Sequence, residues 1–208
     1  TAFTADLWMD AGYARDLSGA VLDRAMFHLD NSCFIENLAF SGRLARTNKG
    51  SNTAFRGFGG PQGMVVIETA LDDIAEYLKM DPAEVRAVNF YGGKPGRDRT
   101  PYGQTFEDDD NPLSELWHDL KASSDYGSRR QGIESFNAQS PIYKRGIAMQ
   151  AVKFGISFTT SFLNQAGALV LVYADGSVQV NHGGVEMGQG LHAKIINVVV
   201  RELGVRRD

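Results

Sequence analysis

With 208 residues, a hydrophobic share of 43% and a charged share of 22%, the chain has the make-up of an ordinary globular protein, one large domain or two small ones. A net charge of −4, with lysines and arginines scattered and no basic stripe between aromatics, excludes a general nucleic-acid binder. No apolar run approaches the roughly 18 residues that span a bilayer, so no membrane partner is expected.

Residues 2 to 11 alternate as a strand does, and Gly12 ends the run. Val21, Leu22, Ala25, Met26 and Leu29 then recur at helical spacing after Ser18, which the pattern predicts as the N-cap. A second strand is predicted over 34–40. Met64, Val65, Ile67, Leu71, Ile74, Ala75 and Leu78 mark an amphipathic helix from Pro61 to Lys79. Asp81-Pro82 caps a short helix to Tyr91, and 92–111 reads as a polar loop whose acidic run, Glu107 to Asp110, is a solvated face. Helices follow at 112–124 and 127–138. Beyond Pro141 the texture changes: 144–158 and 166–173 look like paired strands, and Asp175-Gly176 signals a two-residue hairpin into 177–181. A helix from Gly190 to Leu203 completes an α+β, mixed α/β chain, with a division near residue 140 into parts 1–140 and 141–208.

Two glycine-rich runs stand out. Asn52-Thr53-Ala54-Phe55-Arg56-Gly57-Phe58-Gly59-Gly60-Pro61-Gln62-Gly63 places two aromatics and an arginine just ahead of a helix. Pro61 suits a first helical turn, where its missing N–H costs nothing. Such a loop can present Phe55, Arg56 and Phe58 to a flat, anionic ligand; on spacing alone it can equally be a tight turn with core phenylalanines. His182-Gly183-Gly184-Val185-Glu186-Met187-Gly188-Gln189-Gly190-Leu191-His192 also precedes an apolar helix. Two helix N-termini of this kind can converge on one anionic group.

Other chemistries are poorly served. There is no Gly-x-Ser-x-Gly elbow and no HExxH, and His28, His118, His182 and His192 lack metal-ligand spacing. Gly57-x-Gly59 begins like a dinucleotide fingerprint, but Gln62 stands at its sixth position and no βαβ unit is predicted before it. Cys33, the single cysteine, rules out an internal disulfide or a cysteine-held iron–sulfur cluster and fits a reducing, cytoplasmic setting.

The segments AGYARDLSGAVLDRAMFHLDN, NTAFRGFGGPQG, KFGISFTTSFLNQAGAL, YADGSV and HGGVEMGQGLHAK, in that order, resemble the molybdopterin-binding part of the xanthine dehydrogenase (molybdenum hydroxylase) family. The resemblance covers nearly the whole chain. It implies a molybdenum held by the pterin and not by the protein, with Arg56 beside the metal centre as a hydrogen-bonding neighbour. Phe55, Met187, Gly188 and Gln189 would then contact the cofactor, and Phe58, Phe158 and Thr159 would hold a purine substrate. Arg24, which by composition alone would snorkel to solvent, would face the purine's far oxygen, where charge builds during hydroxylation. That arginine separates xanthine-type from aldehyde-type members.

The resemblance further implies partners outside the segment: [2Fe-2S] clusters, FAD and NAD on an iron–sulfur/FAD subunit or on other domains of an oligomeric enzyme. The family's general-base glutamate and a second substrate-binding glutamate match no position here, and neither Glu68 nor Glu186 takes their place. The segment alone is therefore expected to be inactive and to be a piece of a longer chain. An aldehyde or other heteroaromatic hydroxylase is the alternative within the class; a non-catalytic folded fragment or assembly module is the alternative outside it.

Overall fold

The computed structural model describes residues 2–106 and 111–207. The acidic run Glu107 to Asp110 lies outside the described residues. Helices and strands are mixed, and the chain divides into two compact units, Thr1–Ile156 and Ser157–Asp208.

In the first unit, strands β1 (Ala2–Gly12) and β2 (Asn37–Arg46) pair in parallel from Ala2↔Asn37 to Gly12↔Arg46, with a register shift after Asp10. Parallel neighbours need a crossover, and helix α1 (Ser18–Met26) supplies it. A βαβ unit therefore does precede the arginine loop, contrary to the sequence reading. Period-2 alternation cannot tell a parallel pair from a hairpin, so the crossover was invisible there. Gln62 still breaks the dinucleotide pattern.

Ser18 does not cap α1. It lies inside the first turn, Leu17 holds the cap position, and the Ser18 hydroxyl donates to the Asn52 carbonyl at 3.1 Å. Its hydrogen bond thus ties the helix to the start of the arginine loop. Val21, Leu22 and Ala25 bury the apolar face of α1. Gly42 of β2 makes room for it, since a Cβ there would sit 2.7 Å from Met26 Sδ and 2.9 Å from Leu22 Cδ1.

Helix α2 (Gly60–Leu78) buries Gly60, Gly63, Met64, Ile67, Glu68, Leu71 and Ala75; of the periodic set, Met64, Ile67, Leu71 and Ala75 lie inside, whereas Val65, Ile74 and Leu78 are exposed. Asp81 caps α3 (Pro82–Ala87) by accepting from the Ala83 N–H at 2.8 Å. Ile67, Leu71, Ala75, Val85 and Cys33 form one buried cluster. Helices α4 (Leu113–Ser123) and α5 (Tyr126–Gln139) contribute Trp117 and Tyr126 to a second, with Ala83, Phe90, Met149 and Ala151. The Phe90 and Trp117 rings meet edge-on at 5.0 Å, a favoured aromatic geometry.

The strand predicted over 144–158 does not form. Met149 and Ala151 alternate inward as a strand would, but no neighbouring strand pairs with them. Asn31 replaces the missing ladder: its Nδ2 donates to the Ala151 carbonyl at 2.8 Å, and its Oδ1 accepts from the Lys153 N–H at 3.1 Å. One fully buried side-chain amide thus satisfies both backbone groups that a strand edge would have paired.

The second unit holds a short 3₁₀ turn (Ser161–Leu163), the antiparallel strands β3 (Ala168–Val172) and β4 (Val178–His182), and helix α6 (Leu191–Leu203). Their connection is a three-residue loop, Ala174 to Gly176, rather than a two-residue turn. Tyr173 N–H bonds to the Ser177 carbonyl at 2.9 Å, and Gly176 takes φ +85°. That is the type I turn followed by a left-handed glycine that three-residue hairpins favour. Among the described residues no helix is long and apolar enough to cross a membrane.

Candidate cofactor and substrate site

The first unit contributes Arg24, Phe55, Arg56 and Phe58. Asn52 ties the arginine loop to the end of β1, its N–H bonding to the Ala11 carbonyl at 3.0 Å and its Nδ2 to the Asp10 carbonyl at 2.6 Å. The loop then turns twice, with Phe58 N–H on the Phe55 carbonyl at 2.8 Å and Gly60 N–H on the Gly57 carbonyl at 2.9 Å. Phe58 is held at φ +50°, a conformation non-glycine residues adopt at a cost. Phe55 is 86% exposed and Arg56 is exposed beside it.

The glycines of this run serve packing first. A Cβ on Gly59 would lie 2.0 Å from the Val21 carbonyl oxygen, and one on Gly63 would lie 2.1 Å from that of Ala25. A Cβ on Gly60 would lie 2.6 Å from the Phe154 ring. These glycines let α2 press its first turn against α1, and that contact sets the loop beside Arg24.

Arg24 does not snorkel: it is 5% exposed. Its guanidinium carbon lies 5.7 Å from the centre of the Phe58 ring and 5.2 Å from that of Phe154, a cation–π arrangement with both. Its Nη1 donates to the Gly155 carbonyl. Burial lowers its pKa from the ordinary value, yet a guanidinium in a protein remains charged.

His28, one helical turn after Arg24, is also buried. Its Nδ1 lies 2.7 Å from the Arg24 carbonyl oxygen, and its Nε2 accepts from the Gly155 N–H at 3.0 Å. These two partners fix the neutral Nδ1–H tautomer. Burial accordingly pulls the His28 pKa below its usual value, and the nearby Lys153 and Arg24 cations add to the effect. Beyond it lies a buried polar network. Asp30 accepts from Tyr91 Oη at 2.6 Å and from Lys153 Nζ, and Glu68 joins Asn31 to Arg86, each contact 2.6 Å long. Glu68 is thus a structural ion-pair partner.

Of the residues that the motifs single out, Phe158, Thr159, Met187, Gly188 and Gln189 lie in the second unit. Asn164 grips the Phe158 backbone on both sides, accepting from its N–H at 2.6 Å and donating to its carbonyl at 3.0 Å. Thr159 Oγ1 is buried and has no hydrogen-bond partner among the described residues. The Gln189 side chain folds back on its own loop, Oε1 accepting from Met187 N–H at 2.6 Å and Nε2 donating to the Val185 carbonyl at 2.8 Å.

Glu186 occupies the N-terminus of α6. Its carboxylate accepts from the N–H groups of Gly188 (2.8 Å), Gly190 (3.0 Å) and His192 (3.3 Å). Desolvation raises its pKa, but these backbone donors outweigh it and leave the pKa below the usual glutamate value. The anion at this helix N-terminus is therefore the chain's own, and the sequence reading of an open anion site there is corrected. His182 and His192 stand 3.3 Å apart, with His182 Nδ1 accepting from Gly184 N–H at 3.1 Å. Among the described residues no group of three or more His, Cys, Asp or Glu could hold a metal ion.

Several of these residues were not singled out from the sequence. Gly155, Asn31 and Asn164 act through bonds to or from the backbone and Phe154 through its ring, contacts that spacing does not encode. His28 had one legible clue, its i, i+4 relation to Arg24.

Within the first unit, an exposed guanidinium and a buried cation near two aromatic rings are groups that suit an anion and a flat ring. Two family models of the molybdopterin cofactor-binding domain match the chain, one at residues 1–90 and the other at residues 119–208. The chain belongs to the molybdopterin-binding part of the xanthine dehydrogenase family.

Over 95% of its length it is 49% identical to a xanthine dehydrogenase/oxidase of Gallus gallus. Over 98% it is 46% identical to a nicotinate hydroxylase of Emericella nidulans. It spans only 14% of the first relative and 15% of the second. An aldehyde oxidoreductase from Desulfovibrio gigas shares the fold, with a TM-score of 0.68 over 99% of this chain and 22% of that one, at 24% identity.

Proposed function

We propose that the chain is the central part of the molybdopterin-binding region of a xanthine dehydrogenase that hydroxylates xanthine or hypoxanthine with oxygen from water. The observation that carries this reading is Arg24, a buried cation set between the rings of Phe58 and Phe154. Molybdopterin, when bound, supplies the hydroxylation chemistry and takes up two electrons. Arg56 and Gln189 hold it by donating to its phosphate and oxygen atoms, Gln189 exchanging its two loop bonds to do so. Phe55, Met187 and Gly188 would contact the cofactor.

Phe58 and Phe158 clamp the purine ring, and Thr159 gives the substrate the hydrogen bond its hydroxyl otherwise lacks. Arg24 neutralises the negative charge that grows on the far oxygen of the purine. That charge is larger in the transition state than in the ground state, so the cation lowers the barrier. The parts 1–140 and 141–208 are two molybdopterin-binding subdomains. Electrons leave through [2Fe-2S] clusters and FAD to NAD, carried by other domains or subunits of an oligomeric cytoplasmic enzyme that also supplies the general base.

The 46% identity to a nicotinate hydroxylase favours one second reading. A fixed cation also suits the carboxylate of an anionic pyridine. Steady-state turnover of xanthine, nicotinate and an uncharged aromatic aldehyde by the full-length protein separates the two. Xanthine should have the largest kcat/KM; a higher value for nicotinate or for the aldehyde would overturn the purine assignment.

A further inference from the structure

Arg24 owes its position to a closed circuit of three hydrogen bonds. Its guanidinium donates to the Gly155 carbonyl, the Gly155 N–H donates to His28 Nε2, and His28 Nδ1–H donates to the Arg24 carbonyl. Both polar groups flanking one glycine's Cα are thus engaged by two side chains four residues apart, Arg24 on α1 and His28 just past its end. Phe154 closes the ring from the side, its ring 5.0 Å from that of His28 and 5.2 Å from the Arg24 guanidinium carbon.

We propose that His28 is a specificity-determining positioning residue: it anchors Gly155 by its N–H, so that the carbonyl on the other side of the same Cα aims the Arg24 cation at the substrate. This rests on the role given to Arg24 above. Without the imidazole, the Gly155 N–H loses its acceptor and the Phe154–Gly155 peptide loses its anchor; the next peptide, joined to it through the Gly155 Cα, then holds the carbonyl that orients Arg24 less firmly. His28 touches neither substrate nor cofactor in this scheme; all of its effect passes through Arg24.

The geometry rather than the charge of His28 does this. Buried between the cations of Arg24 and Lys153, with Asp30 nearby, the ring is neutral and serves as one donor and one acceptor. A glutamine can supply the same pair; a phenylalanine keeps the packing on Phe154 but supplies neither.

The test is a double-mutant cycle in the full-length holoenzyme, read as the ratio of kcat/KM for xanthine to that for an uncharged aromatic aldehyde. His28→Phe should lower the ratio about tenfold, the scale of one net hydrogen bond, chiefly through kcat on xanthine. His28→Gln should restore it to within roughly threefold of the wild type, as retention of most of that bond requires. Added to Arg24→Met, His28→Phe should change nothing further, because the group it positions is gone. Uric acid affinity, measured by calorimetry, should follow the same non-additive pattern. Additive losses in the double variant, or an unchanged ratio in His28→Phe while Arg24→Met lowers it, would overturn the circuit alone. An unchanged ratio in Arg24→Met would overturn the substrate reading, and this proposal with it.

Discussion

Gly63→Ala is expected to damage the site without touching it. The added Cβ would lie 2.1 Å from the Ala25 carbonyl oxygen, where ordinary contact begins at 3.4 Å. Both atoms belong to helix backbones and cannot turn aside, so α2 must move from α1 by about 1.3 Å or bend. Overpacking of this kind costs about 1–3 kcal/mol, and the full-length protein should melt at a lower temperature. The functional loss should be larger in proportion. Arg24 sits on α1 and Phe58 lies two residues ahead of α2, so the shift moves the cation away from the ring that lies 5.7 Å from it. Misplacing positioned groups by about 1 Å can cost on the order of 10²-fold in rate. Gly132→Ala is the control: it is exposed within α5, and a Cβ there meets nothing within 4 Å. That change should stabilise by roughly 0.8–1 kcal/mol through helix propensity, with unchanged turnover. A Gly63→Ala protein with wild-type melting and wild-type xanthine turnover would refute the packing argument.

Arg24→Met should reduce xanthine kcat/KM by about 10²–10³-fold, since one preorganised donor at a developing oxyanion is worth roughly 2.7–4 kcal/mol. The uncharged aldehyde should suffer far less; equal losses on both would make Arg24 structural. Arg56→Ala should lower molybdenum occupancy or slow reduction with every substrate alike, as loss of a charged hydrogen bond costs roughly 1.5–3 kcal/mol. Normal reduction rates at full metal content would remove its assigned role. Burial, reinforced by the Glu68 carboxylate, pushes the Cys33 thiol up to about 12. The reactive thiolate is therefore scarce at neutral pH, and peptide mapping after maleimide treatment should find Cys33 labelled only in unfolded protein. Rapid labelling of the native chain would contradict that burial.

Much of this architecture was legible in the sequence because hydrophobic period and capping chemistry act locally. The stripe from Met64 to Ala75 and the Asp81 cap needed no tertiary information. The crossover between β1 and β2 was hidden because alternation does not encode strand direction. The extended run around Ala151 read as a strand because its burial pattern is that of one; only the distant Asn31 side chain distinguishes the two. Arg56, Phe58 and Gln189 were singled out through the motifs that carry them, and their roles are proposals. The link between His28 and Gly155 was missed because it joins a side chain to a backbone N–H 127 residues away, which no local pattern records. Glu186 illustrates the opposite limit: its glycine run announces a helix start, but not that the carboxylate fills it.

The most direct measurement of the central claim is metal and cofactor analysis of the full-length protein combined with anaerobic reduction by xanthine. The account predicts molybdenum and pterin in equal amounts, one of each per chain, and absorbance changes on adding xanthine that Arg56→Ala and Arg24→Met both diminish. A protein that purifies folded but carries no pterin, or one that holds the cofactor fully and is not reduced by xanthine, would contradict it.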